Sequence, residues 1–122
     1  MSRDERIAAR LIAAINSLIP AWCTTSFDHD WLEVAIDGNA EVAVYLAVAQ
    51  GEPDREAVLA FNVLSTIQDA IVRTSTQPWP PASEPTYLPY PAAAVRQGLL
   101  VAWYGPEAQP TVAIPPIDLA TA

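Results

Sequence analysis

The sequence predicts an α+β fold in two layers, with two helices packed on one face of a mostly antiparallel four-stranded sheet. Three observations lead there. Two long stretches repeat apolar residues at helical spacing, and four short ones alternate or run apolar as strands do. They come in the order α-β-β-α-β-β, with a proline-rich strap before the last pair, which suits helices gathered on one side of an antiparallel sheet. A chain of 122 residues with 52% hydrophobic content is the size of one domain with one core, here residues 1–122.

The first helix is expected over residues 3–19. Ser2 and Glu5 have the spacing of a capping box, in which each side chain satisfies a free backbone donor of the first turn. Ile7, Leu11, Ala14, Ile15 and Leu18 form its stripe, and Pro20 stops it because the ring cannot continue a helix.

"DWLEVAID" and "EVAVYLAV" then alternate with period 2. Leu32, Val34 and Ile36 face one way, with Val42, Val44, Leu46 and Val48; Trp31, Glu33, Ala35, Glu41, Ala43, Tyr45 and Ala47 face the other. Asp37-Gly38 has the composition of a two-residue turn, but that loop pairs Val34 with Glu41 on one face. A three-residue loop, Asp37 to Asn39, pairs Ile36 with Ala40 and Val34 with Val42 and keeps the aliphatic set together. It requires Asn39 in a left-handed conformation.

The second helix is expected over residues 54–73, opened by Pro53 or Asp54. Val58, Phe61, Leu64, Ile67 and Ile71 form its stripe, with Gln68 and Asp69 on the solvated side. The segment "TQPWPPASEPTYLPYP", residues 76–91, holds six of the twelve prolines. Its prolines follow no fixed period. It reads as a structural strap held down by Trp79, Tyr87 and Tyr90, or as a P-x-x-P segment bound by another protein. "GLLVAWY" reads as a strand covered on both faces, and "TVAIPPI" as one that ends, or lies at an edge, where Pro115-Pro116 remove backbone donors. "LATA" carries no structural signal and is expected to fray. "LEVAIDG" and "LLVAWYG" share leucine, valine, alanine and glycine in the same places, which fits an internal duplication or a coincidence between short apolar strands.

Charge narrows the partners. Fourteen acidic residues stand against six arginines, with no lysine, for a net charge of -8. That argues against nucleic acid and anionic membrane, both of which select cations, and admits a basic partner. No run of about 18 apolar residues is present to span a membrane. Arg10 and Asn16 interrupt the apolar run near the N-terminus, unlike the core of a signal peptide. A single cysteine permits no internal disulfide. A cytoplasmic protein is expected.

Chemistry is sparse. "FDHDW" holds the only histidine, His29, between Asp28 and Asp30. Consecutive side chains diverge, and no second histidine completes a metal motif, so no metal or cofactor is assigned and a polar connector is the plainer reading. Cys23 lies six residues before His29, which leaves a weak catalytic set of Cys23, His29, Asp28 and Asp30; a buried cysteine is the alternative. No phosphate-binding loop and no G-x-S-x-G elbow occurs. Trp79, Tyr87, Tyr90 and Trp103 are candidates to line a small-ligand pocket under the strap. Trp31, Ala35, Ala43, Tyr45 and Ala47 are candidates for a flat interface.

At "TIQDAIV", "TQPWPP" and "VRQGLLVAWYGP", within residues 60–106, the chain resembles small uncharacterised actinobacterial proteins. The resemblance implies a bacterial, cytoplasmic, single-domain protein, and brings no activity, cofactor or site residue. The leading functional expectation is a non-enzymatic interaction module whose partner is a second copy, as a homodimer, or another protein. A ligand-binding or ligand-regulated protein and a cysteine–histidine enzyme are the alternatives.

Overall fold

In the computed structural model, Ile7, Ala8, Leu11, Ile12 and Ile15 bury one side of helix α1 (Arg3–Asn16). The structure describes residues 2–48, 51–81 and 89–122. Ser2 caps the helix by accepting the Glu5 amide at 3.1 Å, and the Glu5 carboxylate takes the Ser2 hydroxyl at 3.4 Å. The helix stops short of residue 19. The Leu18 and Ile19 amides both turn back to the Ile15 carbonyl, and the Asn16 carboxamide leaves the helix for the next element. It accepts from the Thr25 amide at 3.2 Å and hydroxyl at 2.8 Å, and donates to the Thr25 carbonyl at 3.2 Å.

That next element is a strand where a connector was expected. β1 (Cys23–Asp28), β2 (Trp31–Ile36) and β3 (Asn39–Tyr45) form an antiparallel meander. After α2 (Arg55–Ser75), β4 (Pro91–Arg96), β5 (Leu99–Tyr104) and β6 (Val112–Asp118) form a second one. The single four-stranded sheet is therefore corrected to two three-stranded sheets. The α+β class stands: both helices and the inner faces of both sheets share one core. Each missed strand opens its sheet at an edge. β4 begins on Pro91, the position where a strand tolerates proline.

The order α-β-β-β thus occurs twice. β2 and β5 have matching burial, with Leu32, Val34 and Ile36 inward in one and Leu100, Ala102 and Tyr104 in the other. Structural equivalence therefore sets Leu32 beside Leu100. The shared letters of "LEVAIDG" and "LLVAWYG" set Leu32 beside Leu99, one residue out, which would turn every side chain to the wrong face. The architecture repeats, but that string match is not its trace.

Three hairpins turn on two residues with both φ positive: His29-Asp30, Asp37-Gly38 and Gln97-Gly98. Such turns match the twist of the flanking strands. The three-residue loop at Asp37 is thereby corrected, and Asn39 is the first residue of β3, paired with Ile36. The register conflict is resolved elsewhere. A bulge at Glu41 lets Ala35 pair with Ala40 while Val34 still pairs with Val42. Glu41 lines a shallow depression with Ala70, Arg73 and Thr74 of α2.

α2 begins after Asp54, whose side chain makes no capping bond, and closes where the Thr76 amide reaches the Val72 carbonyl at 2.8 Å. Its buried side is Ala57, Leu59, Ala60, Val63, Leu64, Ile67, Gln68, Ala70 and Ile71. The stripe is rotated from the expected one, so Phe61 faces solvent and Gln68 faces the core. β6 runs through Pro115-Pro116 as an edge strand, with a register shift there instead of an end. The C-terminal residues are held rather than frayed. Arg3 donates to the Leu119 carbonyl, and Arg10 to the Asp118 carbonyl and Thr121 hydroxyl. Arg3 also pairs with Glu56, and Arg55 with Asp4, so the N-terminal charges tie α1 to α2. The Arg3 guanidinium, hydrogen-bonded to Glu56, holds that carboxyl below its ordinary range.

Candidate functional site

Cys23 and His29 do not meet. Cys23 is buried at the first residue of β1, and burial pushes its thiol up, away from the reactive thiolate. His29 lies in the exposed turn beyond the last residue of β1, a strand rise of about 17 Å away. β1 separates the two along its length, and the nucleophile–base pair has no geometry. Asp28 and His29 stand 3.6 Å apart, both more than four-fifths exposed. The structure adds Glu5 of α1 to them, with ligand atoms of all three within 4.8 Å. Asp30 is not in that group. Chelation normally needs side chains fixed by packing or a second layer of hydrogen bonds. Glu5 is already engaged with Ser2, and we assign no ion to the group.

Of the rings expected to hold the strap down, Trp79 does so and Tyr90 is exposed; the other anchors, Tyr104 and Gln68, were not singled out by the sequence pattern. The Trp79 ring is buried edge-on against Tyr104, with centroids 5.0 Å apart. Tyr104 is fully buried; its hydroxyl donates to the Leu64 carbonyl at 2.8 Å, and burial pushes its ionisation up. Gln68 was expected on the solvated side. It is buried instead, donating to the Trp79 carbonyl at 3.1 Å and the Pro89 carbonyl at 2.6 Å. One carboxamide on α2 therefore fixes both ends of residues 79–89.

The described aromatics of the expected pocket do not share a wall. Trp79 packs on the inner face of the second sheet, through Tyr104. Trp103 alternates to the outer face, where Arg96 lies 5.6 Å from its ring. Tyr90 is 68% exposed. Tyr87 lies outside the described residues.

The first sheet's outer face matches the alternation read from the sequence. Trp31 and Tyr45 are directly paired across β2 and β3, with ring centroids 5.5 Å apart and planes tilted by 51°. They are 50% and 57% exposed. Glu33 pairs with Ala43 in the next row and Ala35 follows, while Ala47 lies beyond the end of β3. Asp28 of β1 pairs with Trp31 and adds an acidic residue to the same face. The second sheet has an outer face missed by sequence reasoning. Trp103 and Ala92, Val101 and Ala94, and Leu99 and Arg96 are cross-strand pairs on it. Reading β5 as covered on both faces hid this surface.

No described helix is long and apolar enough to cross a membrane. Comparisons of the chain with protein-family models, curated proteins and solved structures find no match.

Proposed function

We propose that the protein is a non-enzymatic protein-interaction module whose working surface is the outer face of the first sheet. The observation that carries this reading is the Trp31–Tyr45 pair. Two large rings meet at a tilt, half in solvent, on a sheet face that neither helix covers. Exposed aromatic clusters on flat surfaces are enriched at interfaces, where Trp and Tyr supply most of the binding energy.

Affinity capture from the native cell tests it. The wild-type chain and Phe61→Glu, altered on the solvent face of α2, should retain a protein that Tyr45→Glu loses. That protein, purified, should rebind the wild type alone. If capture is the same from all three baits, the reading fails.

Self-association is the second reading, and the outer face of the second sheet favours it. Its rows are mostly apolar, and its one cation, Arg96, is paired with Glu107. Sedimentation should then show a dimer for the wild type and a monomer for Val101→Glu, which would place a charge in the joined faces. A monomeric wild type refutes it.

A further inference from the structure

We propose that the outer face of the first sheet receives an arginine- or lysine-bearing segment of a partner protein, with a cation seated on the Trp31–Tyr45 rings beside Asp28 and Glu33. The inference rests on the docking reading above and names the chemistry of the partner.

The two sheets supply the argument by contrast. In the second, Arg96 covers the Trp103 ring and pairs with Glu107, so ring, cation and carboxylate complete one another within the chain. In the first, the rings are present and so are the carboxylates. Asp28 pairs directly with Trp31, and Glu33 lies two residues along the same strand on the same face. The other outward side chains of β1 and β2 are Thr24, Ser26 and Ala35. No described outward residue of the three strands is basic. His29, in the adjoining turn, stands 3.6 Å from Asp28. An aromatic face attracts a cation through its quadrupole, and a flanking carboxylate adds a charge-assisted hydrogen bond.

The alternative occupant, a second copy, is disfavoured by the same charges. A two-fold contact sets one patch against itself, so the acidic groups of this patch would face their own copies. The net charge of -8 adds long-range repulsion to that encounter.

The probe is an eight-residue peptide alternating arginine and threonine, carrying a fluorophore. Its controls replace arginine by neutral citrulline or by glutamate. Binding by anisotropy should be seen for the arginine peptide alone and should weaken as salt rises. Trp31→Ala and Glu33→Gln should each weaken it about threefold to tenfold. Trp103→Ala should not. Glu52→Gln, which makes the same change in net charge elsewhere, should leave it unchanged. Glu33→Arg, at an exposed site, should reject the arginine peptide while its circular dichroism stays that of the wild type. Equal loss with Glu33→Gln and Glu52→Gln would mean diffuse attraction and overturn the inference. So would equal binding of the citrulline peptide. A captured partner that needs Tyr45, together with no binding of the arginine peptide, overturns the cationic partner and leaves the docking reading standing. Failure of both overturns both.

Discussion

Replacing Gln68 with alanine should loosen the strap and destabilise the whole protein. The carboxamide is 3% exposed and donates to two carbonyls, at 3.1 and 2.6 Å, from residues near the two ends of the proline-rich segment. Each lost hydrogen bond is worth about 1 kcal/mol net, and a buried carbonyl left without a partner adds about as much again, so the cost is about 2–4 kcal/mol. Unfolding entropy for a chain of this length is about 0.26 kcal/mol/K near 60 °C, which converts that cost to a fall in Tm of about 8–16 °C. Urea unfolding followed by circular dichroism gives the free energy, and tryptophan fluorescence reports whether Trp79 leaves Tyr104. Gln68→Glu should be worse than alanine at neutral pH, because it buries acceptors against acceptors. It should recover as acid protonates the new carboxyl and restores one donor. Asp69→Ala, one residue along on the exposed side, should stay within about 0.5 kcal/mol. A Gln68→Ala protein within about 0.5 kcal/mol of wild type would refute the clamp.

Gly105→Ala should cost about 2 kcal/mol or more by urea unfolding, since φ is +99° and the new Cβ would lie 2.6 Å from the Thr111 hydroxyl; an unchanged midpoint would contradict the packing of that turn. Iodoacetamide should label Cys23 at the rate of global unfolding, because the thiol is buried and its ionisation is pushed up; rapid labelling of the native protein would revive a reactive role. Glu56 has its carboxyl held low by Arg3, so its stabilisation is full above the ordinary glutamate range, about 4.3, and is lost as pH falls through the lowered folded value. Glu56→Gln should therefore show a shallower loss of stability between neutral and acid pH than wild type, and parallel curves would show that the pair adds nothing.

Both helices, the α+β class and the outward placement of Trp31 and Tyr45 follow from periodicity alone. What stayed hidden depended on partners far along the chain. β1 puts Cys23, Thr25 and Phe27 inward, and the middle position is a threonine made tolerable by Asn16. A hydrophobic pattern cannot see that, so "CTTSFD" reads as loop. β4 is "PAAAVR", small residues with weak strand preference, defined by its pairing to β5. His29-Asp30 is a tight turn without glycine, and only its two positive φ values reveal it. The bulge at Glu41 defeats any argument that assumes unbroken pairing. Gln68 is polar within an apolar helix, and its acceptors lie eleven and twenty-one residues later.

The repeat also explains why a long crossing is tolerated. In each unit one carboxamide on the helix closes the connection to the first strand. Asn16 holds the backbone of Thr25 across a link of six residues, 17–22; Gln68 holds Trp79 and Pro89 across one of fifteen, 76–90. Loop-closure entropy grows only with the logarithm of length, so the longer link costs about 0.8 kcal/mol more. Each proline that fits its native conformation removes about 0.4–1 kcal/mol of unfolded-chain entropy, so one or two of the six in residues 76–91 offset the added length. The prolines therefore need no reader in another protein to account for them. The partner proposed above would then dock on the first sheet's outer face, where Trp31 and Tyr45 stand half in solvent among the described residues, whereas Trp79 is already packed against Tyr104.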